Sequence, residues 1–223
     1  MRLLFSISMA LMISTYLTTV HAMGDPVAGK AKAILCDSCH GVNSKNPLAP
    51  KLAGQPHNYS FQQLTKFKDG TRKDPIMNGM AAAKTEQDMQ DIAAYYASLP
   101  YQKVNRNELS TISMHGENLY KQKCVMCHGE LGNGSKSNKT NSMFGSRLPQ
   151  ANSHIPLIGG QPQLYLVKAM KQYRAKQRQT NGKDYMMDMV MEYLSDDQIN
   201  VIANYLSSLS GSVTTDESLA KND

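Results

Sequence analysis

Two pentapeptides share one pattern: Cys36-Asp37-Ser38-Cys39-His40 and Cys124-Val125-Met126-Cys127-His128. Each reads Cys-x-x-Cys-His, the attachment signature of c-type haem. Two thiols at this spacing add across the two vinyl groups of one porphyrin. The adjacent His is then held where its imidazole ligates the iron. The two copies use all 4 cysteines of the chain. Cys36, Cys39, Cys124 and Cys127 are therefore expected to attach two haem c groups, with His40 and His128 on their irons. A thioredoxin-like redox motif would leave the His unexplained. A zinc site built from two Cys-x-x-Cys knuckles usually spaces them by roughly 15–20 residues, and here the offset is 88. A disulfide closing so small a loop would remove little unfolded-state entropy.

The N-terminus reads as an export signal. Arg2 supplies the positive end, residues 3–20 are apolar and uncharged, and Val20-His21-Ala22 offers small residues for a cut after Ala22. Ser14, Thr15, Thr18 and Thr19 weaken the rival reading, a retained membrane anchor. Export suits haem attachment, which in bacteria takes place outside the cytoplasm, so the periplasm is the expected location. The chain of 223 residues carries +6; losing residues 1–22 removes one Arg and no acid, leaving +5. Nucleic acid is an unsuitable partner, because the basic residues are not concentrated over the whole chain and an exported protein would not meet it.

Working outward from the motifs, the halves repeat. Pro50-Lys51-Leu52-Ala53-Gly54-Gln55-Pro56 resembles Pro156-Leu157-Ile158-Gly159-Gly160-Gln161-Pro162 at an offset of 106. Each is followed by a helical stretch, near residues 58–68 and 164–174, with Pro56 and Pro162 suited to the first turn. Each half closes with a second helix that begins at Thr85 or Ser195, and the bodies around Ile92 and Ile202 are offset by 110. Ser195 opens a capping-box pattern. Ile92, Tyr95, Tyr96 and Leu99 fall on one helical face. Short helices are also expected before each motif, at about residues 27–35 and 113–123. The step from 88 to 106 inserts 18 residues into the second half, within a Gly-, Asn- and Ser-rich stretch at 129–155 that reads as a surface loop. Strand signals are absent. The expected architecture is all-α: a signal at 1–22, one domain at 23–102, a second at 108–211 and a disordered tail at 212–223. Units this small have modest cores, so the haem is expected to complete them and the apoprotein to fold poorly.

The repeat also selects a second iron ligand from 15 methionines. At offset 110, Met77 pairs with Met187, whereas Met80 pairs with Val190 and Met189 and Met191 pair with Gly79 and Ala81. Met77 and Met187 are the expected ligands, on loops that fold over the ring. Met80, Met170, Met189 and Met191 read as core filling. His57, His115 and His154 do not match across the repeat and read as surface imidazoles. His/Met ligation raises a haem's reduction potential and leaves no open position for substrate.

These residues resemble the dihaem cytochrome c4 family, two class I cytochrome c domains in tandem, each wrapped around one covalently bound haem. The resemblance rests on both Cys-x-x-Cys-His motifs, Lys51-Leu52-Ala53-Gly54-Gln55, Ile158-Gly159-Gly160-Gln161, the run from Phe67 to Arg72, Met77-Asn78-Gly79-Met80 and Ala93-Ala94-Tyr95-Tyr96. It implies Met77 and Met187 as axial ligands, and two haem domains that face each other with a short path between haems. It further implies a periplasmic, soluble or membrane-associated carrier of single electrons, taking them from a quinol-oxidising complex and passing them toward a terminal oxidase. Two departures stand out: the long loop after His128, and Met189 where the first half has Gly79.

Residues 168–183 carry six basic side chains (Lys168, Lys171, Arg174, Lys176, Arg178, Lys183) and no acid. They read either as a solvated helix face or as a docking patch for an acidic partner or anionic lipid, which makes the second haem the partner-facing one. Rival functions are a dihaem enzyme, such as a peroxidase or a sulfur-compound-oxidising cytochrome, and a subunit of an oxidase complex.

Overall fold

The structure is a computed structural model that describes residues 24–101, 111–134, 154–178 and 185–209. The expected signal, the inter-domain boundary at 102–108, the middle of the inserted loop, Lys183 and the tail at 212–223 lie outside the described residues. Ten helices and no strand occur among the described residues. The first half holds α1 (Pro26–Lys32), α2 (Ile34–His40), α3 (His57–Lys68), α4 (Pro75–Ala82) and α5 (Glu86–Ser98). The second repeats them as α6 (Thr111–Lys123), α7 (Val125–His128), α8 (Gln163–Arg174), α9 (Tyr185–Glu192) and α10 (Asp196–Ser208).

In each half the N-terminal helix crosses the closing helix, α1 on α5 and α6 on α10, and the middle helix packs beside it. The crossings are close enough to require glycine. A Cβ on Gly29 would lie 1.9 Å from the Asp91 carbonyl oxygen, and one on Gly116 would lie 2.2 Å from that of Val201. Asp91 and Val201 differ by the closing-helix offset of 110, but the glycines differ by 87, one less than the motif offset. The second half therefore has one more residue between its glycine and its first cysteine, eight against seven; the break falls at Ala33 in the first half and only at Cys124 in the second, where α6 runs unbroken to Lys123.

Both closing helices begin with a reciprocal capping box. Thr85 accepts from the Asp88 amide and Asp88 accepts from the Thr85 amide; Ser195 and Gln198 do the same. The carboxylate of Asp88 thus supplies in the first half what an amide supplies in the second. Pro56 and Pro162 stand at the N-caps of α3 and α8 rather than inside the first turn, each with extended ψ, near 134° and 133°.

The cores are unequal. Tyr120, Leu166, Met191, Ile199, Ile202, Tyr205, Leu206 and Leu209 belong to one buried cluster in the second half. The first half gathers only Ala33, Ile92 and Tyr96 in a comparable cluster.

The halves meet through a hydrogen-bonded seam with local two-fold character. The Gln161 side chain accepts from the Lys51 amide at 2.8 Å and donates to the Lys51 carbonyl at 2.9 Å. The Gln55 side chain accepts from the Leu157 amide at 3.0 Å and donates to the Leu157 carbonyl at 2.7 Å. Gln55 and Gln161 are related by the 106-residue offset, as are Lys51 and Leu157. Each half therefore inserts the glutamine of its Gly-Gln-Pro turn into the matching turn of the other. Both glutamines are 2% exposed and Leu157 is 1% exposed, so the Gln55 bonds form where water cannot replace them, whereas Lys51 is half-buried.

Candidate haem sites

One cavity of about 510 Å³ spans the seam and is lined from both halves by the four cysteines, His40, His128, Met77 and Met187. This volume is typical of a cofactor pocket. Helix geometry explains the clustering of each motif. Within α2, Cys36, Cys39 and His40 lie three and four residues apart and so share one face. The second motif begins at a kink, Cys124, and continues in α7.

The histidines are held alike. His40 Nδ1 donates to the Pro50 carbonyl at 2.7 Å, and His128 Nδ1 donates to the Pro156 carbonyl at 3.2 Å. Pro50 and Pro156 are again 106 apart. Burial pushes the pKa of both imidazoles below the usual histidine value. The rings are thus neutral, with the proton on Nδ1 and the Nε2 lone pair free for a metal. Burial raises the pKa of the Cys36 thiol, and that of Cys124 to about 12.

Met77 and Met187 stand on short helices, not on loops as expected. Asp74 caps α4 by accepting from the Met77 amide at 3.1 Å, and Pro75 fills the first helical position. These two residues start a helix one turn before the sulfur. Met80 does not line the cavity, whereas Met77 does. In the second half Met170, Met186 and Met191 also line it beside Met187, so there the repeat rather than proximity singles out Met187. Met170 and Met191 are buried as expected, Met80 is half-buried, and Met189 is exposed rather than a core filler. The position of Gly79 opens into empty space. No backbone constraint demands glycine there, which removes the objection to Met189 in the second copy.

Two of the three spare histidines depart from expectation. His57 is buried, its Nε2 3.2 Å from the Gln90 carbonyl, where it fills the α3–α5 contact with a hydrogen-bonded tip. His154 is half-buried and lines the cavity. It precedes by two residues the Pro156 that accepts from His128, and so belongs to the His128 side. His115 is exposed.

Sequence reasoning missed a buried pair of guanidinium groups. Arg72 and Arg178 are 8% and 2% exposed and line the cavity. Arg72 donates to Gln63 Oε1 at 2.7 Å, and Arg178 donates to the same oxygen at 3.0 Å from across the seam. Each guanidinium lies 4.3 Å from the ring centroid of its own half, Phe67 or Tyr173. The offset of 106 that relates Gln55 to Gln161 also relates Arg72 to Arg178 and Phe67 to Tyr173. That register was the available signal. No carboxylate among the described residues pairs with either arginine, and Arg178 Nε lacks a hydrogen-bond partner there. Leaving a buried cation uncompensated costs several kcal/mol. An anionic group entering the cavity answers this need, and haem carries two propionates. Thiols, neutral imidazoles, thioethers and buried cations around one apolar cavity together fit haem c.

The basic run does not form a free patch. Lys168 pairs with Asp74 at 2.8 Å, Lys171 pairs with Asp196 at 2.6 Å, Arg174 pairs with Asp196 too, and Arg178 is buried. Two acids distant in sequence, Asp74 and Asp196, offset part of its charge.

The comparisons agree with this geometry. The profile of the cytochrome c family matches residues 27–100 and again 113–210. Cytochrome c4 of Pseudomonas aeruginosa is 34% identical over 192 residues, spanning 85% of this chain and 90% of that protein. The crystal structure of reduced recombinant cytochrome c4 from Pseudomonas stutzeri superposes with a TM-score of 0.67 at 30% identity, covering 83% of this chain and 99% of that one. A thiosulfate dehydrogenase electron acceptor of Stutzerimonas stutzeri is 27% identical over 191 residues, spanning 79% of this chain and 80% of that protein. The chain belongs to the dihaem cytochrome c4 family. It is an all-α, dihaem electron-transfer cytochrome with two haem c groups.

Proposed function

We propose that the protein is a periplasmic carrier of single electrons between respiratory partners. Cys36 and Cys39 attach one haem and Cys124 and Cys127 the other; His40 with Met77, and His128 with Met187, ligate the irons. Haem c, when bound, supplies a one-electron Fe(III)/Fe(II) couple. The residues do the rest. The Pro50 and Pro156 carbonyls fix the histidine tautomers, so that Nε2 would be a neutral donor to the metal. Met77 and Met187, which line the same cavity, would supply thioether donors to the irons and leave no position for substrate. Arg72 and Arg178, braced by Gln63, receive the carboxylates. The observation that carries this reading is the single cavity shared by two equivalent donor sets across the Gln55/Gln161 seam.

The donor that fits is a quinol-oxidising complex, and the acceptor a terminal oxidase. The relative named as a thiosulfate dehydrogenase electron acceptor supports a second donor class, a sulfur-oxidising enzyme. Either way the chain carries electrons and does not itself turn over substrate. Among the described residues no helix is long and apolar enough to cross a membrane.

The test is optical. The purified ferric holoprotein is expected to show a weak red-edge Met–Fe(III) band, and the reduced form to ignore carbon monoxide. Prompt carbon monoxide binding to either reduced haem would replace the carrier with an enzyme or sensor.

A further inference from the structure

The two haem sites match at nearly every position described so far, yet the residue after the first cysteine of each motif differs in charge. In the first half it is Asp37; the motif offset of 88 places Val125 there in the second. Asp37 is held in place. Tyr96 Oη donates to its Oδ1 at 2.7 Å, and Tyr95 Oη approaches Oδ2 at 3.4 Å. Tyr96 is 1% exposed. Burial, reinforced by the adjacent carboxylate, keeps its phenol protonated and able to donate. No cation among the described residues forms an ion pair with Asp37. Among the cations on this edge, Lys84 acts on Cys36 and Arg72 on His40. At the second site the corresponding influence is Lys123, which acts on Cys124 and lines the cavity. Leu35 takes its place in the first half. Within the motifs themselves, the first thus carries a fixed carboxylate and the second carries none.

We propose that Asp37 is the residue that sets the two haems apart: its carboxylate, anchored between the two thiols of the first motif, lowers the reduction potential of that haem below that of the second. The inference rests on the two-haem carrier reading. Reduction takes one electron onto the iron and removes one positive charge from the site. A fixed negative charge nearby disfavours that change, whereas Val125 is indifferent to it. Asp37 lies one helical turn from His40. At a separation of about 10 Å and an effective dielectric constant of ~20, one charge alters such an equilibrium roughly tenfold. A singly reduced molecule therefore keeps its electron on the second haem, and the first passes electrons onward to it.

The experiment is an optical redox titration of the holoprotein, wild type against Asp37→Asn, Asp37→Ala and Val125→Asp, with thermal unfolding in parallel. Wild type is expected to show two one-electron waves. Asp37→Asn keeps an oxygen that accepts from Tyr96 but removes the charge. It is expected to raise the lower wave by up to about tenfold in equilibrium constant, ~59 mV for a one-electron couple, and to leave the upper wave in place. Asp37→Ala should raise it equally while also lowering the melting temperature, which separates charge from hydrogen bonding. Val125→Asp should lower the upper wave. Two unmoved waves in Asp37→Asn, or movement of the upper wave instead, overturns the proposal. Carbon monoxide binding by the wild type would overturn the carrier reading instead, and is scored separately.

Discussion

Replacing Gln55 with Leu preserves most of the volume of the side chain and deletes both of its bonds across the seam. The Leu157 amide and carbonyl it serves belong to a residue that is 1% exposed. The amide is then orphaned, and the carbonyl keeps only a long contact, 3.4 Å, from Gln161 Nε2. A buried unsatisfied group costs about 1–3 kcal/mol, so Gln55→Leu should cost roughly 2–4 kcal/mol, counting the weakened carbonyl. Gln161→Leu deletes an equivalent pair, but its partner Lys51 is half-buried and water can take over. That change should cost about 1–2 kcal/mol, the lost bonds alone. For a chain of this size, 1 kcal/mol moves the melting temperature by roughly 2–4 °C. Thermal unfolding of the holoproteins, followed by circular dichroism and by the haem band, should show the larger shift for Gln55→Leu. The double variant should be non-additive because both glutamines share the Leu157 carbonyl, and should separate the transitions of the halves. Equal shifts for the two single variants, or a double variant that still unfolds in one transition at the wild-type temperature, would refute the account of the seam.

Other outcomes follow from single sites. Met77→Ala should let one reduced haem bind carbon monoxide, read as a shift in half of the Soret intensity, whereas Met80→Ala should leave the spectrum unchanged. Gly29→Ala and Gly116→Ala should each cost at least about 1–3 kcal/mol by overpacking the helix crossings, while Gly79→Ala, which meets open space, should gain up to ~1 kcal/mol in helix propensity; chemical denaturation separates them. The Lys32 hydrogen bond, with the Thr85 cap, holds the pKa of Asp88 below the usual carboxylate range, and Lys32 and the Asp25 amide do the same for Asp91 against its burial. Depressed folded-state values stabilise above the unfolded pKa near 4 and lose that stability as pH falls further. Lys32→Met should therefore weaken the protein at pH 7 and converge on wild type in acid, measured as unfolding free energy against pH. Removing both thiols of the first motif should unfold its half more completely than removing those of the second, because the first has the smaller apolar core; protease sensitivity of the two halves reads this out.

Legibility in the sequence followed the range of the interaction. The motifs, the caps at Thr85 and Ser195 and the pairing of Met77 with Met187 depend on spacing along the chain, and spacing survives translation into helices. The loop expected for the two methionines failed at short range, because Asp74 and Pro75 together act as a helix start and were not read as one. Surface placement of His57 failed at longer range: a polar residue at a helix start says nothing about the helix that will cover it. The partners of the basic run between 168 and 183 were hidden for the same reason, since Asp74 and Asp196, which pair with Lys168 and with Lys171 and Arg174, are separated from them by 94, 25 and 22 residues.

The sequence alone determined that there are two haem attachment sites, that each lies in an all-α repeat, and which methionine position is repeated in both halves. It could do so because covalent chemistry and helix periodicity are local. Tertiary structure alone decided that the halves face one another through Gln55 and Gln161, and that Arg72 and Arg178 end buried on one Gln63 oxygen. Gln55 with Leu157, Gln161 with Lys51 and Arg178 with Gln63 lie more than 100 residues apart in the chain, and nothing but the meeting of two folded surfaces brings them into contact.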